Sequence, residues 1–556
     1  MKKSVIAAAF AISIACIFAA PFVSSVTAYD HGDRDHGRFE FIPDTLVLSR
    51  SVYAGDAGTV TVGQTLPPGC AAGTVTLPVI AGGTTTVTIP AGSSSGCNTA
   101  VANGTYPTVF NNDTADGSFG VTSPIFLDNI TTDGFLLGTL PIPDDQIVTS
   151  FSSKSELALN LSSDGRSITF AGYRGGTGFP TAPNQLDISN SNTPGVVDPS
   201  NPVSSQYYRS VAEVDTRGHF LITEGNAYSG NNGRAAIKAG SMYYMTGNDN
   251  NGGLSKTQLK TTQVGANLVA STGVELLVPG QTPPLPPNIN KIGDFEVTQI
   301  GDPADKAGKD NNFRGLTIFN DTLYVTKGSG GNGVNTVYQV GTPGVLPTPS
   351  NAPGGNLQNV PITILPGFST TLASSTTSPV AFPFGIWFAD ANTLYVCDEG
   401  DGTLVTPAVN GNVADAPTLA TAGLQKWSLV NGTWTMLYVL QDGLSIGVPY
   451  SVPNYPTALN PATDGCRNIT GRHNFDGTVT IFAVTSTVSA SGDQGADPNK
   501  LVKITDLLGA KTLPSSNGQR DGFDSFERFV TIRSAKAGEV LRGVAFAPED
   551  RDRRDH

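Results

Sequence analysis

The run DNNFRGLTIFNDTLYVTKGSG, Asp310 to Gly330, narrows what this chain can become more than any other feature. An arginine precedes a short apolar strand. A tight Asn320-Asp321 turn follows, then a second strand in which apolar and polar residues alternate. Asn and Asp tolerate the left-handed backbone that a two-residue hairpin turn needs. Imperfect copies recur along the chain. Aligned on the residue before the first strand, they begin at Glu156, Arg234, Arg314, Phe384, Arg467 and Arg542, spaced 70 to 83 residues apart.

Two more strands follow in each full copy. In the fourth they are LQKWSLV from Leu424, the turn Asn431-Gly432, and TWTMLYVL ending at Leu440. The first copy has VAEVD from Val211 and HFLIT from His219; the third has TVYQV from Thr336 and ITILP from Ile362. The fifth has KLVKIT from Lys500 and RFVTI from Arg528, and the second VELLV from Val274 and FEVTQI from Phe295. Four antiparallel strands per repeat is the unit of a β-propeller blade.

The chain ends complete one another. RGVAFAP, Arg542 to Pro548, is a first strand with no second strand after it. DTLVLSR, Asp44 to Arg50, matches the second strands DTLYVTK and NTLYVCD, and SPIFLDN and GFLLGTLPI supply a hairpin after it. The expectation is an all-β, six-bladed propeller whose last blade combines one C-terminal strand with three N-terminal strands, seven blades being the alternative. Closure of this kind removes exposed sheet edges. The propeller domain spans 44–548, interrupted at 55–120 by a hairpin excursion within the shared blade. Charged tails cover 29–43 and 549–556.

Residues 1–28, with Lys2 and Lys3 before an apolar run and small residues Val26 and Ala28 at its end, read as a bacterial-type secretory signal. The expected location is secreted or periplasmic, with no later membrane span. A net charge of -13 argues against nucleic acid as partner. Beyond Cys16 there are four cysteines, an even number suited to two bridges in an oxidising compartment. Cys70 and Cys97 flank a hairpin-like segment and pair on that ground; Cys397 and Cys466 then pair by elimination.

The repeated RGLTxF and TLYV strands, with SGNNGRAA at Ser229 to Ala236, resemble secreted bacterial β-propeller proteins of uncharacterised activity. Their blade organisation is similar to that of six-bladed NHL or gluconolactonase-like propellers. The resemblance implies a fold without a settled activity, since fold does not determine function. Gluconolactonase-like propellers use Glu, Asn and Asp around a catalytic metal, which would imply a Ca2+-dependent lactonase or hydrolase here.

In a propeller the residues just before each first strand gather at one mouth of the central channel. Here they are Glu156, Arg234, Arg314, Phe384, Arg467 and Arg542. So many arginines near one axis call for interleaved carboxylates or a bound anion. The mouth itself can be a structural lattice, a site for a polar or anionic ligand, or a catalytic centre whose catalytic residues the sequence does not identify; the expected function is an exported binding or interaction scaffold with its ligand there, the alternatives being the Ca2+-dependent lactonase or hydrolase and a purely structural envelope or matrix protein. The ligand classes are small molecule, glycan or extracellular polymer. Glu156, Asn232, Asn312 and Asp464 carry oxygens suited to a hard cation such as Ca2+, as do Asp398, Glu399 and Asp401 in CDEGDG. Tyr450 and Tyr455, in GVPYSVPNYP, are expected to be placed for stacking on a sugar.

Overall fold

Each copy of the repeat folds, in a computed structural model, as one mainly antiparallel sheet of four to six strands, and the units close into a ring. The structure describes residues 39–550 apart from 54–57, 59, 67–68, 79–83, 90, 92–96, 108–120, 152, 154–155, 177–185, 187, 190, 195–204, 249–272, 281–289, 293, 296–311, 329–332, 410–411, 415–419, 492–494 and 514–526. The expected signal segment 1–28, the tail to residue 38 and the last six residues lie outside the described residues.

The third blade shows how the sequence sets the geometry. Phe313–Phe319 pairs with Thr322–Lys327 across Asn320 and Asp321, whose φ values of 47° and 52° make the turn whose twist matches that of its strands. Thr336–Val340 and Pro361–Ile364 complete the blade. The fourth blade runs Pro383–Asp390, Thr393–Asp398, Gly423–Val430, Thr433–Leu440, and the fifth Ala462–His473, Thr478–Val488, Lys500–Leu507, Val530–Ser534.

Two blades depart from the expected pattern. In the second, Gly233–Ala239, Met242–Gly247 and Val274–Leu277 are followed by Asn290–Ile292, not by a strand beginning at Phe295. Asp294–Phe295 instead pairs in parallel with Pro361–Ile364 of the third blade. In the first, the innermost strand shrinks to Asn160–Leu161, because Leu157 adopts φ 70° and breaks the extended run. Ile147–Ser150 pairs with the far end of Ser167–Arg174, and Arg209–Asp215 and Phe220–Gly225 follow outward.

The shared blade is as expected. Glu539–Phe546 pairs with Leu46–Val52 in the register Leu46↔Phe546 and Leu48↔Val544, followed by Ile125–Ile130 and Leu136–Pro141. The innermost strands of successive blades touch all the way round, the last returning to the first.

Blade faces pack apolar side chains against one another, and each of the six junctions has its own cluster. Phe170 and Val47 lie at the shared–first junction, Val211 with Tyr243 at first–second, and Ile237 with Leu316 at second–third. Phe388 with Tyr324 marks third–fourth, Leu424 with Ile481 fourth–fifth, and Phe482 with Val544 fifth–shared. Each large apolar side chain so buried stabilises by about 1.5–3 kcal/mol. The junctions, rather than any central core, hold the ring.

The insertion within the shared blade contains the hairpin Gly73–Pro78 with Thr84–Ile89 and the short pair Thr65–Leu66 with Asn98–Thr99. Both expected disulfides are present: Cys70–Cys97 within the insertion, and Cys397–Cys466 joining the fourth blade to the fifth. Among the described residues the only helical turns are three short 3-10 segments, and no helix is long and apolar enough to cross a membrane.

Candidate functional site: a buried arginine ring on the axis

A small residue follows the aligned position in several copies, and the structure shows why. A Cβ at Gly315 would lie 2.1 Å from the Phe384 carbonyl oxygen, and one at Gly385 would lie 2.3 Å from that of Arg467. Innermost strands therefore approach backbone to backbone. The axial space they leave, lined by Ala158, Ala235, Leu316 and Asn468 among others, is about 10 Å³, room for about one water molecule. The innermost strands plug the axis at this level.

The aligned residues sit at the edge of this plug, and the ladder is irregular at five of them. Register shifts fall between Gly233 and Ala235, Phe313 and Leu316, Pro383 and Ile386, Cys466 and Ile469, and, opposite Ser49 and Arg50, at Arg542. Arg234, Arg314, Phe384, Arg467 and Arg542 are thus in β-bulges, which re-aim side chains and recur beside functional sites. At the sixth position the left-handed Leu157 follows Glu156.

All six side chains are buried, with relative exposures of 1 to 6%. An open mouth is therefore not what the structure has. Glu399 bridges two blades' arginines: Arg467 Nε lies 3.1 Å from Oε2 and Arg314 Nη2 3.4 Å from Oε1. The Arg314 guanidinium also lies 5.7 Å from the Phe384 ring centroid. Arg542 donates to Ser51 Oγ at 3.2 Å and to the carbonyls of Ser150 and Phe151.

Glu156 accepts from the Tyr173 hydroxyl at 2.5 Å. Burial raises its pKa, opposed by that bond and by the Arg542 charge. Arg209, at no repeat position, lies over Tyr173 at 5.0 Å and donates to Ser191 Oγ at 3.1 Å and to the Tyr228 carbonyl at 2.9 Å. It extends the ring, and no sequence signal distinguishes it from an ordinary strand-end arginine.

Arg314 differs from Arg467. Its Nε and Nη1 are buried and have no hydrogen-bond partner among the described residues. Asn312 Oδ1 and Asp464 Oδ1 are in the same condition. Burial pushes the Asp464 carboxyl up to about 7; the Gly402 N–H, 2.9 Å away, opposes this, and Asp401, Glu399 and Asp398 reinforce it. Asp398 is pushed up to about 6 by burial, although Phe382 and Gly400 N–H groups donate to it at 3.0 Å.

Asp401 accepts from Thr403 N at 2.9 Å, and Asn232 N donates to Asn231 Oδ1 at 3.1 Å. Among the described residues no group of three or more His, Cys, Asp or Glu side chains is disposed to hold a metal ion. Cys397–Cys466 clamps the strands that carry Asp398 and Arg467.

The two loop tyrosines are not open stacking platforms. Tyr455 is buried, its hydroxyl donating to Asp497 Oδ1 at 2.8 Å and its ring set edge-on to Tyr106 at 5.9 Å. Tyr450 donates to the Pro498 carbonyl at 2.8 Å, and Lys500 Nζ lies 3.5 Å from its ring centroid. Asp497, which also accepts from Ser491 Oγ at 2.9 Å, has its pKa raised to about 6 by burial, opposed by these bonds and by Arg467. This carboxylate network beside the ring was not expected.

No protein-family model and no curated protein matches the sequence. Among solved structures, the chain is similar at 10% identity to the parainfluenza virus 5 hemagglutinin-neuraminidase ectodomain, covering 69% of this chain and 75% of that one with a TM-score of 0.32. It is similar at 9% identity to a Synechocystis apocarotenoid oxygenase mutant, covering 92% and 94% with a TM-score of 0.33. Neither likeness bears on activity.

Proposed function

We propose that the protein is a binding scaffold for a small polar or anionic ligand held at the arginine ring, next to Arg314. The observation that carries this is the unmet hydrogen bonding of Arg314 Nε and Nη1 in a guanidinium that is 1% exposed. Leaving a buried donor unsatisfied costs about 1–3 kcal/mol, more for a charged group. A carboxylate, phosphate or acidic-sugar oxygen would relieve that cost, and bulged strands on a rigid ring supply the preorganisation that favours tight binding. The dimensions of the axis limit the ligand to something that sits on the plug.

Thermal melts against a panel of small carboxylates and phosphates test this reading. A ligand at 100 times its Kd stabilises by about 2.7 kcal/mol, a rise of roughly 2–4 °C for a large domain. Arg314→Met should abolish the rise and leave the fold intact. No rise with any compound, or the same rise in Arg314→Met, would reject the assignment.

A second reading, a Ca2+-assisted lactonase or hydrolase using Glu156, Asn232, Asn312 and Asp464, draws on the unpartnered oxygens of Asn312 and Asp464. It expects Ca2+ to raise the melting temperature and EDTA to lower it. Identical melts in the two solutions would remove it.

A further inference from the structure

Away from the axis, a groove of about 270 Å³ opens on the fifth blade beside the hairpin turn of the shared blade. Strand register explains its chemistry. Arg472 pairs with Thr480 and Thr480 with Thr505, while in the next rank Phe482 pairs with Lys503 and Lys503 with Val530. Arg528 stands two residues before Val530 and lines the same groove. With strands about 4.8 Å apart, a rank from Arg472 to Arg528 extends for roughly 14 Å, threonine hydroxyls lying between two guanidinium-bearing residues.

The cations in this groove are available. Arg472 makes no ion pair among the described residues; its guanidinium lies 5.9 Å from the Phe546 ring centroid. Lys503 pairs with Asp133 at 2.9 Å and Arg528 with Asp442 at 2.8 Å, but both carboxylates are more than half exposed. Pairs of that kind contribute about 0–1 kcal/mol and exchange readily for a ligand. Among the described residues, three cations face two carboxylates here, on a chain whose net charge is -13.

We infer that the groove takes a carboxylate-bearing saccharide, its carboxylate at Arg472 and its hydroxyls along Thr480 and Thr505. A bare anion needs only one cation, whereas this rank alternates charge with hydroxyls that both donate and accept. The volume is close to the lower end of small-molecule sites, about 300 Å³, and suits one or two sugar units. Buried Phe482 contributes an apolar floor.

Titration calorimetry on the full chain at low salt tests the inference, with trigalacturonate as probe, maltotriose as its neutral counterpart and sodium sulfate as a bare anion. Trigalacturonate should bind at least tenfold more tightly than either control. Arg472→Ala should weaken it about tenfold with an unchanged melting curve, while Arg314→Met leaves it unaltered. No binding of trigalacturonate, equal binding of maltotriose or of sulfate, or wild-type affinity in Arg472→Ala would overturn the site. Loss of binding in Arg314→Met would overturn it too, moving the ligand to the axis.

Discussion

Arg314 and Arg467 share one carboxylate, yet they should respond unequally to the same change. Arg467 Nε is hydrogen-bonded to Glu399 at 3.1 Å, and its charge also opposes the rise in the Asp497 pKa. Replacing it by methionine removes the shorter of the two arginine contacts of Glu399 and keeps the 3.4 Å one to Arg314. Removing one partner of a buried pair costs about 3–5 kcal/mol. Arg314→Met gives up that long contact but also removes two buried nitrogens, Nε and Nη1, that have no hydrogen-bond partner among the described residues, so the two effects offset each other to within about 1 kcal/mol. Urea unfolding of both variants checks this. Equal losses would mean that Arg314 belongs to the same structural lattice as Arg467, and the ligand site would lose its basis.

At the scale of the element, the blades were legible wherever turn chemistry and alternation agreed. Asn320-Asp321 and Asn431-Gly432 identify hairpins because few residues tolerate their backbone, and the flanking strands follow. The aligned position was legible as well, but its burial was not. The groups that engage the ring occupy positions that the repeat does not mark: Ser486 donating to the Glu399 carbonyl, Asp497 beside Arg467, and Arg209 against Ser191. The burial of Tyr455 was not legible for the same reason, since only tertiary packing sets its hydroxyl on Asp497. The bulges were invisible because they depend on the register of two strands at once.

One consequence of this burial is measurable. Asp464, Asp398 and Asp497 have carboxyls raised to about 7, 6 and 6, each first by burial. Unfolded, an aspartate titrates near 3.9. Between roughly pH 4 and 7 the native state holds more protons than the unfolded chain, so the contribution of these groups falls as pH rises and is lowest above pH 7. Melting temperature should therefore be higher at pH 5 than at pH 8. Asp464→Asn should recover a few kcal/mol at pH 8 and flatten the profile between pH 4 and 7. A wild-type melting temperature that climbs steadily over that interval would contradict it.

For the whole molecule, closure depends on eight residues, because Glu539–Phe546 is the inner strand of a blade whose other three strands lie near the opposite end of the chain. Removing residues 537–556 would take Leu541 and Val544 from the fifth–shared junction, Ala545 from the shared–first junction and Arg542 from the ring. It would also leave Leu46–Val52 as an exposed, largely buried-type edge strand, a template for pairing with another chain. The apolar losses alone amount to several kcal/mol, a large part of the 5–15 kcal/mol by which a domain is stable. The truncated chain should lose its cooperative melt and associate, as read by circular dichroism and light scattering after gel filtration. Removing only residues 551–556 should change neither. A peptide of residues 537–550, added in trans, should restore the melt and the monomer if strand pairing is what was lost. A truncated protein that stays monomeric and melts as the full chain does would mean that the ring is held without its seam, and that the blade junctions, not closure, carry the fold.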